Sequence, residues 1–377
     1  MLAPYALRAE ESRGRRYPEA EHAYRNDFQR DRDRVVYSRA FRRLENKTQV
    51  FTRRHSDHFR NRLTHTIEVA QISRTIAAEL QLNEDLVEAL ALVHDVGHPP
   101  FGHAGERILN LAMQEHGDQF DHNLHALRTV EQFEQRYADF PGLNLTFEVR
   151  EGIVKHSRDY NSKEFPQLAE YLLDQRPPLE AQLIDFTDEI AYSTADLDDG
   201  VEANILTREQ VRREVPLFAR LYEEVERLYP VAPEKLKFNE TLKRVLDRLV
   251  SDVIAQTRKA IAEAGVKTVE DVRRFPQRLC GFSPEADAER RQIKEFLYKN
   301  VYFSPALQRD KKQAEQVIAE MFAFFMKSPE ELPESYQEKM RIEPLYRIVC
   351  DYIAGMTDPF VMEQHRKFFG PKKRVGV

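Results

Sequence analysis

An imidazole interrupts the apolar side of the first strongly periodic helix of the chain. His65 precedes Val69, Ile72 and Ile76 at successive spacings of four, three and four residues, a pattern that places the four side chains on one helical face. The other three members of this face are hydrophobic, so the face is expected to be buried. The pattern therefore predicts a histidine that points into the interior of the protein.

The next helix repeats this arrangement and adds a carboxylate. His94 follows Val87 and Leu90 at spacings of seven and four residues, and Asp95 comes directly after it. The segment GHPPFGH (97–103) follows, and its first glycine and two prolines end the helix. The sequence thus predicts a second inward imidazole, with an aspartate beside it and a tight loop beyond it.

A carboxylate interrupts a third apolar stripe. Ala181, Ile184, Asp188 and Tyr192 lie close to one face of a predicted helix, and Asp188 is the charged member of that face. The alternative interpretation is a solvated, aspartate-rich face. If the stripe is buried, Asp188 is a third inward-facing polar group.

These inward polar residues predict a metal site. Buried carboxylates beside imidazoles are unfavourable unless a cation accompanies them, and a divalent metal suits both kinds of ligand. A mixed nitrogen and oxygen set is compatible with Mn, Fe, Co, Ni, Zn or Mg, and leaves positions for water and substrate. The alternative is a pair of hydrogen-bonded core histidines with an aspartate that ends a helix. The candidate ligands are His65, His94, Asp95 and Asp188.

Six segments, spread over most of the chain, resemble the motifs of a known family in the order in which that family has them. The family is the HD-domain deoxynucleoside triphosphate (dNTP) triphosphohydrolases, the dGTPase-like branch. A bare His-Asp pair is a weak signal, whereas the long segment 94–106 combined with the others is specific. The segments are SRAFRRLENKTQV (38–50), RLTHT (62–66), HDVGHPPFGHAGE (94–106), FDHN (120–123), DEIAYSTADLDDG (188–200) and DYIAGMTDPF (351–360).

The resemblance implies both a ligand set and an activity. His65, His94, Asp95 and Asp188 match the four metal ligands of the family. The implied activity is hydrolysis of a dNTP at the α-phosphate to a deoxynucleoside and inorganic triphosphate, with the metal as a Lewis acid. One rival is an HD-type nucleotidase or phosphodiesterase acting on other nucleotides. Another is a regulator that binds nucleotides or single-stranded nucleic acid, which the complete ligand set disfavours.

Histidines are concentrated around the second metal helix. Six of the 12 histidines lie between residues 94 and 125, too many for one ion, so some are expected to transfer protons or contact phosphate. His98 and His103 fall on the predicted loop. The resemblance assigns proton donation to His103, with Glu106 and His122 as partners. For His98 a loop hydrogen bond is the alternative to a catalytic role.

Other residues match the family's contacts to substrate. Arg62, one helical turn before His65, matches a phosphate-binding arginine, and a guanidinium binds phosphate oxygens bidentately. Gln49 matches a residue that contacts the sugar 3′ hydroxyl. Tyr192 and Asp196 match residues that close around deoxyribose, where a ring beneath C2′ excludes a 2′ hydroxyl. The alternatives are a core aromatic for Tyr192 and a surface charge for Asp196.

Composition predicts an all-α protein. Only 13 of the 377 residues are glycine, about half of the usual ~7%, and amphipathic helical patterns continue to the end of the chain. No segment resembles a flexible linker between domains. We therefore predict an HD-domain helical bundle with a helical C-terminal extension: a polar, partly mobile N-terminal arm (1–30), the HD core (31–204), and a C-terminal region packed on it (205–377).

Charge is distributed unevenly along the chain. Residues 1–62 hold 16 Arg and Lys against 9 Asp and Glu, a net charge of +7. Because the whole chain has a net charge of −6, the remaining residues have a net charge of −13. A basic segment ahead of a metal site would attract a triphosphate, although a solvated helix is the alternative. The C-terminal cluster RKFFGPKKRV (366–375) could contact nucleic acid or another subunit, with a solvated tail as the alternative.

The remaining expectations concern location and partners. The N-terminus lacks the apolar core of a signal peptide, and no stretch has the ~20 apolar residues of a membrane span. Two cysteines, Cys280 and Cys350, without CxxC spacing favour the reducing cytoplasm. A homo-oligomer, a second, activating dNTP and single-stranded nucleic acid are the further partners considered. The sequence does not indicate the preferred base.

Overall fold

The chain is helical wherever its structure is described. A computed structural model describes residues 1–51 and 59–370, and within these ranges the β-type contacts are three isolated bridges. The all-α prediction is therefore confirmed. The helices are α1 (Asp27–Tyr37), α2 (Arg39–Arg43), α3 (Arg62–Leu80), α4 (Glu84–Val93), α5 (His103–Gln114), α6 (His122–Arg128), α7 (Phe147–Val154), α8 (Leu179–Glu202), α9 (Arg208–Glu214), α10 (Pro216–Leu228), α11 (Glu234–Ala264), α12 (Val269–Arg274), α13 (Pro284–Leu297), α14 (Pro305–Lys327), α15 (Glu334–Lys339), α16 (Leu345–Ala354) and α17 (Asp358–Phe369).

Helix α3 is the centre of a first hydrophobic cluster and packs against α4, α8 and α11. Its start is fixed by a capping box, in which the Asn61 side chain accepts from Thr64 N and the Thr64 hydroxyl accepts from Asn61 N. Such a cap satisfies amide groups that the first helical turn leaves free. The cap therefore fixes the turn that contains Arg62 and His65.

Helices α4 and α8 complete this first cluster. The Asn83 side chain caps α4 by accepting from Leu86 N. From Leu86 to Val93 every residue of α4 except Glu88 is apolar and buried. His94 follows at its C-terminal end, as the breakers in the next segment predict. Helix α8 begins after the two prolines at 177–178 and runs for 24 residues. It packs against both α3 and α4.

A second hydrophobic cluster forms elsewhere, and α5 belongs to it. Leu109 and Met113 of α5 pack with side chains of α14, α16 and α17. The first turn of α5 carries His103 and Glu106. These two residues are therefore held by the C-terminal helices, whereas the helices with the predicted metal ligands pack in the first cluster. The second cluster contains Leu109, Met113, Phe120, Val317, Ile318, Met321, Phe322, Phe325, Leu332, Ile348, Val349, Cys350, Ile353, Ala354, Met356 and Val361.

The N-terminal residues differ from the mobile polar arm that the sequence predicts. Ala3, Ala6 and Leu7 are buried, and Leu7 N donates to Glu180 Oε1 at 3.0 Å. The apolar residues here are too few to form a periodic pattern, so the sequence gives no local sign of their burial. They are anchored by tertiary contacts on α8.

The sequence VVYSRAFRRLENKTQVF (35–51) predicts one helix, whereas the structure interrupts it. Ser38 separates α1 from α2 and caps α2, because its hydroxyl accepts from Phe41 N at 3.0 Å. A 3₁₀ turn, Leu44–Asn46, follows. The chain thus reaches Lys47 and Gln49 in an irregular conformation, which allows their side chains to point towards different parts of the molecule.

Three smaller expectations concern the cysteines, membrane spans and chain ends. Cys280 and Cys350 are both buried and free. Within residues 1–51 and 59–370, none of the helices is long and apolar enough to cross a bilayer. The basic residues of 371–375 lie outside the described ranges. The sequence also predicts a polar connection, HSDHFRN (55–61), before α3, and its residues 55–58 lie outside these ranges as well.

Candidate functional site

The four predicted metal ligands meet where α3, α4 and α8 converge. His65 Nε2 lies 2.8 Å from Asp188 Oδ1. His94 Nε2 lies 3.9 Å from the same oxygen and 3.7 Å from Asp95 Oδ1. Donor atoms of His65, His94 and Asp95 all lie within 4.8 Å of one another. The structure therefore brings together residues that are up to 123 positions apart in the chain.

His94 is prepared to bind a cation. Its Nδ1 lies 2.6 Å from the carbonyl oxygen of Ala91, so Nδ1 carries the proton and Nε2 keeps a lone pair. That Nε2 is buried without a hydrogen-bond partner. Burial also lowers the pKa of His94, which keeps the ring neutral. A buried imidazole nitrogen that faces two carboxylates fits a divalent metal ion.

The two carboxylates are ionised. Burial favours the neutral form of Asp95, but the Arg62 guanidinium, 3.0 Å from Oδ2, and His98 hold its pKa well below the ordinary value. For Asp188 the contact with His65 outweighs burial and lowers the pKa in the same way. Two charged oxygen donors and two imidazoles are donors of the kind that bind divalent metal ions.

Arg62 contacts one of the predicted metal ligands directly. Its side chain is 3% exposed and pairs with Asp95. A buried guanidinium beside a ligand carboxylate fixes the orientation and charge of that ligand. Contact between Arg62 and a substrate phosphate stays a prediction, whereas its contact with Asp95 is present in the structure.

A histidine that the sequence patterns missed lies on the other side of His94. The rings of His94 and His156 are 5.3 Å apart, and His156 Nδ1 lies 2.8 Å from Asp185 Oδ1. Arg278 donates to the second oxygen of Asp185. Asp185 precedes Asp188 by one helical turn on α8. This spacing is the local signal that could have indicated a second carboxylate near the site, and His156 with it.

The predicted proton-transfer residues form a second group beside the ligands. Glu106 accepts from His122 N at 3.0 Å, and its oxygens lie 2.9 Å from His122 Nδ1 and 3.2 Å from His103 Nδ1. The contacts with His103 and His122 outweigh burial and lower the pKa of Glu106. The His98 ring stacks on His122, with centroids 4.0 Å apart.

His98 and His103 differ in their surroundings. His98 is buried, with Nδ1 2.9 Å from Asp95 Oδ1, so it links the second group to the metal ligands. Burial lowers its pKa well below the ordinary value. His103 is the first residue of α5 rather than a loop residue, and its side chain is 82% exposed. Of the two, His103 is the one whose side chain is open to solvent.

Tyr192 and Asp188 line a cleft of about 430 Å³. The Tyr192 hydroxyl donates to Glu189 Oε1 at 2.7 Å, and Lys294 Nζ lies 5.9 Å from the centre of the tyrosine ring. The cleft therefore combines a metal ligand, an aromatic ring and cationic side chains. Its lining residues are Ser157, Arg158, Asp159, Asp185, Phe186, Asp188, Glu189, Tyr192, Arg278 and Lys294.

Asp196 is a buried polar residue, and Gln49 is partly buried. Asp196 accepts from the Tyr302 hydroxyl, and burial raises its pKa to about 7. It is therefore not a surface charge. Gln49 Oε1 is buried without a hydrogen-bond partner, and the preceding Thr48 pairs with Asn61 at the start of α3. An unpaired buried amide oxygen is a group that a bound ligand can satisfy.

Comparison with known proteins gives two matching families and close relatives. Residues 62–193 match the HD domain, and residues 280–367 match the phosphohydrolase-associated domain. The chain is 48% identical to a protein of Azoarcus sp. over 98% of its own length and 96% of the relative's. It is 46% identical to a protein of Thiobacillus denitrificans, over 98% of this chain and 97% of that relative. It is 44% identical to a protein of Geobacter sulfurreducens, over 99% of this chain and 96% of that relative. Each relative is named deoxyguanosinetriphosphate triphosphohydrolase-like protein.

Proposed function

The chain belongs to the deoxyguanosinetriphosphate triphosphohydrolase-like family of HD-domain phosphohydrolases, and from this we propose a specific reaction for it. The protein hydrolyses dNTPs at the α-phosphate and releases a deoxynucleoside and inorganic triphosphate. The observation that supports this most is the buried, unpartnered Nε2 of His94 facing two ionised carboxylates, beside a cleft that also contains Tyr192.

The cofactor is a divalent metal ion. His65, His94, Asp95 and Asp188 are the residues that would hold it, and their mixed donors are compatible with Mn, Mg, Fe, Co, Ni or Zn. When bound, such an ion supplies Lewis-acid stabilisation of charge on the phosphate. Arg62 keeps Asp95 ionised at 3.0 Å, and the Ala91 carbonyl holds His94 in the tautomer that presents Nε2.

His103 assists the departure of the leaving group. The ester bond between phosphorus and the 5′ oxygen breaks as an alkoxide leaves, and an alkoxide is a poor leaving group unless it receives a proton. Glu106 engages His103 Nδ1 at 3.2 Å, which leaves Nε2 as the nitrogen that can deliver the proton. His122 holds the other oxygen of Glu106 at 2.9 Å, so the carboxylate has a fixed orientation.

Identification of the products tests the proposed function. Each dNTP, singly and in pairs, is incubated with the metal-loaded protein in water enriched in ¹⁸O. The products are then separated, and their masses are determined by mass spectrometry. We expect deoxynucleoside and inorganic triphosphate, with the label in the triphosphate because water attacks phosphorus. Intact dNTPs, together with hydrolysis of a monophosphate or a cyclic nucleotide in parallel incubations, would instead support the nucleotidase or phosphodiesterase alternative. Tight binding of nucleotide or single-stranded nucleic acid without hydrolysis would support a regulator.

A second prediction concerns selection of the sugar. If the Tyr192 ring lies beneath C2′ of the deoxyribose, Tyr192→Ala creates space for a 2′ hydroxyl and lowers the ratio of specificity constants for dGTP over GTP. A pocket rejects an extra hydroxyl by up to about 10²-fold, so we expect a fall of tenfold or more. Metal content should stay unchanged.

Tyr192→Phe is the matched control for this prediction. It retains the ring and removes only the hydroxyl that donates to Glu189, so it should keep the preference for dGTP. An unchanged ratio in Tyr192→Ala would show that another residue excludes the 2′ hydroxyl, and Asp196 would then be the next to substitute.

Several partners stay predictions from the sequence. They are a second dNTP as activator, single-stranded nucleic acid as ligand, and further copies of the chain in a homo-oligomer. Each of them can be measured directly. The paired dNTP incubations detect activation, and light scattering gives the number of subunits. Binding of a fluorescent oligonucleotide, measured at two salt concentrations, detects a nucleic-acid surface.

A further inference from the structure

The turn that leads to His103 has an unusual backbone. Phe101 has φ +61° and Gly102 has φ +55°. A Cβ atom at Gly102 would lie 2.6 Å from Arg62 Nη2, so the chain passes directly over the arginine that pairs with Asp95. A non-glycine residue in the left-handed region is unfavourable unless its surroundings hold it there. The contacts that hold this turn therefore determine where His103 lies.

Asp358, from the other end of the chain, supplies one such contact. It is the first residue of α17 and belongs to the segment DYIAGMTDPF. Its Oδ1 accepts from Phe101 N at 2.9 Å, and its Oδ2 accepts from Thr48 N at 2.9 Å and from the Thr48 hydroxyl at 2.5 Å. One carboxylate thus joins the turn, the segment before α3 and the C-terminal helices.

Lys47 supplies a second contact between the same three parts. Its side chain is 3% exposed, and Nζ donates to the carbonyl oxygens of His98 at 2.5 Å and Ala354 at 3.2 Å. The backbone carbonyl of Lys47 also accepts from Arg62 N at 3.1 Å. The ammonium group therefore holds the His98 end of the turn, and Asp358 holds its Phe101 end.

These contacts join the two hydrophobic clusters at the site. The metal ligands lie on helices of the first cluster, whereas His103 begins α5, which packs in the second. Without a connection at the turn, the position of His103 relative to Asp95 would depend on how the clusters pack together. Asp358 and Lys47 fix this relation through five hydrogen bonds to four residues.

We propose that Asp358, supported by Lys47, is a positioning residue that places His103 for proton delivery. This inference rests on the proposed function. Asp358 touches neither the metal ligands nor the cleft residues in these contacts, so it acts through the turn. Loss of the carboxylate should lower turnover while substrate and metal continue to bind.

Asp358→Asn is the test variant, studied as the full-length, metal-loaded enzyme with dGTP. Loss of a residue that orients a catalytic group without touching the substrate typically lowers activity by about 10- to 100-fold. We therefore expect kcat to fall by that factor. KM should change by less than about twofold, because uniform binding is retained. The metal content should equal that of the wild type. Hydrogen exchange of the peptide covering 97–103 should become faster in the metal-free protein, because the single amide oxygen of asparagine cannot accept from both Phe101 N–H and Thr48 N–H as the two carboxylate oxygens do.

A double-mutant cycle separates positioning from general destabilisation. If Asp358 acts through His103, Asp358→Asn should change kcat by less than about twofold in a His103→Ala background. Independent, multiplicative effects of the two substitutions would overturn the proposal, as would an unchanged kcat in Asp358→Asn alone. A wild-type protein that releases no triphosphate from any dNTP would instead contradict the proposed function.

Two further variants control for stability. Thr357→Ala removes the cap of the same helix, where the Thr357 hydroxyl accepts from Phe360 N, but it leaves the turn contacts intact and should keep kcat within about twofold. Thr48→Val removes one of the three donors to Asp358 without creating a cavity. It should lower kcat in the same direction by a smaller factor, and it replaces Asp358→Asn if that variant does not fold. An unchanged kcat in Thr48→Val would then count against the proposal.

Discussion

Asp188→Asn is expected to give a folded protein that binds metal poorly and turns over dNTP roughly 10³-fold more slowly. The amide has nearly the same shape as the carboxylate and can still hydrogen-bond to His65, which lies 2.8 Å away, so little stability should be lost. The negative charge is removed, however. Lewis-acid stabilisation by the metal amounts to several kcal/mol, and about 1.4 kcal/mol corresponds to a tenfold change in rate.

Asp188 is a cleaner choice than Asp95 for this experiment. Asp95 pairs with buried Arg62, and its substitution would leave a buried guanidinium unpaired, which destabilises the protein independently of the metal. Asp198→Asn is the matched control on the same helix, because Asp198 pairs with Arg60 instead of the histidines. Metal content is measured by elemental analysis after loading, and turnover under saturating dGTP.

The result that would contradict the ligand set is equally direct. A full equivalent of metal and normal turnover in Asp188→Asn would exclude Asp188 as a ligand. His156 would then be the next candidate, since its donor atom lies within 4.8 Å of those of His94 and Asp188.

His103→Ala is expected to keep its metal and its affinity for substrate while kcat falls by about 10²- to 10⁴-fold, the usual contribution of a general acid. The side chain is 82% exposed and contacts Glu106 at 3.2 Å, so its removal creates no cavity. Glu106 keeps its contacts with the ring and backbone of His122, so no buried charge loses all of its partners. The change in folding free energy should therefore stay within about 0.5 kcal/mol.

Single-turnover kinetics test the role of His103, because the loss of a general acid slows the chemical step without weakening substrate binding. His116→Ala, after the end of α5, is the control, because His116 stacks on Tyr346 away from the site. Loss of metal in His103→Ala would identify His103 as a ligand. A nearly unchanged kcat would direct the search for the acid to His98 or His122.

The spacing of residues along the chain predicted those features of the protein that are determined within a single helix. The stripe that contains His65 and the breakers after His94 specify two helices and the direction of two imidazoles, and the structure places both as expected. Asp188 follows the same rule on α8. Periodicity is a property of one element, so it succeeds where the element alone decides which side is buried.

Contacts between distant segments had no local signal. The Thr48–Asp358 contact joins residues 310 positions apart, and nothing in the spacing of either segment indicates the other. The pairing of Arg62 with Asp95, the position of His156 and the burial of Leu7 are likewise tertiary. The resemblance identified the segment that contains Asp358, whereas its hydrogen bonds became apparent only in the folded chain.

The separation of the interior into two clusters has a consequence for inactivation by heat. Proteins open locally in cooperative units before they unfold globally. If the cluster around Met321 and Ile353 opens first, α5 loses its packing surface, while α3, α4 and α8 stay together in the other cluster. Such a partly unfolded species would still hold His65, His94, Asp95 and Asp188 in place and would lack only the proton donor. Thermal loss of activity can therefore precede release of the metal.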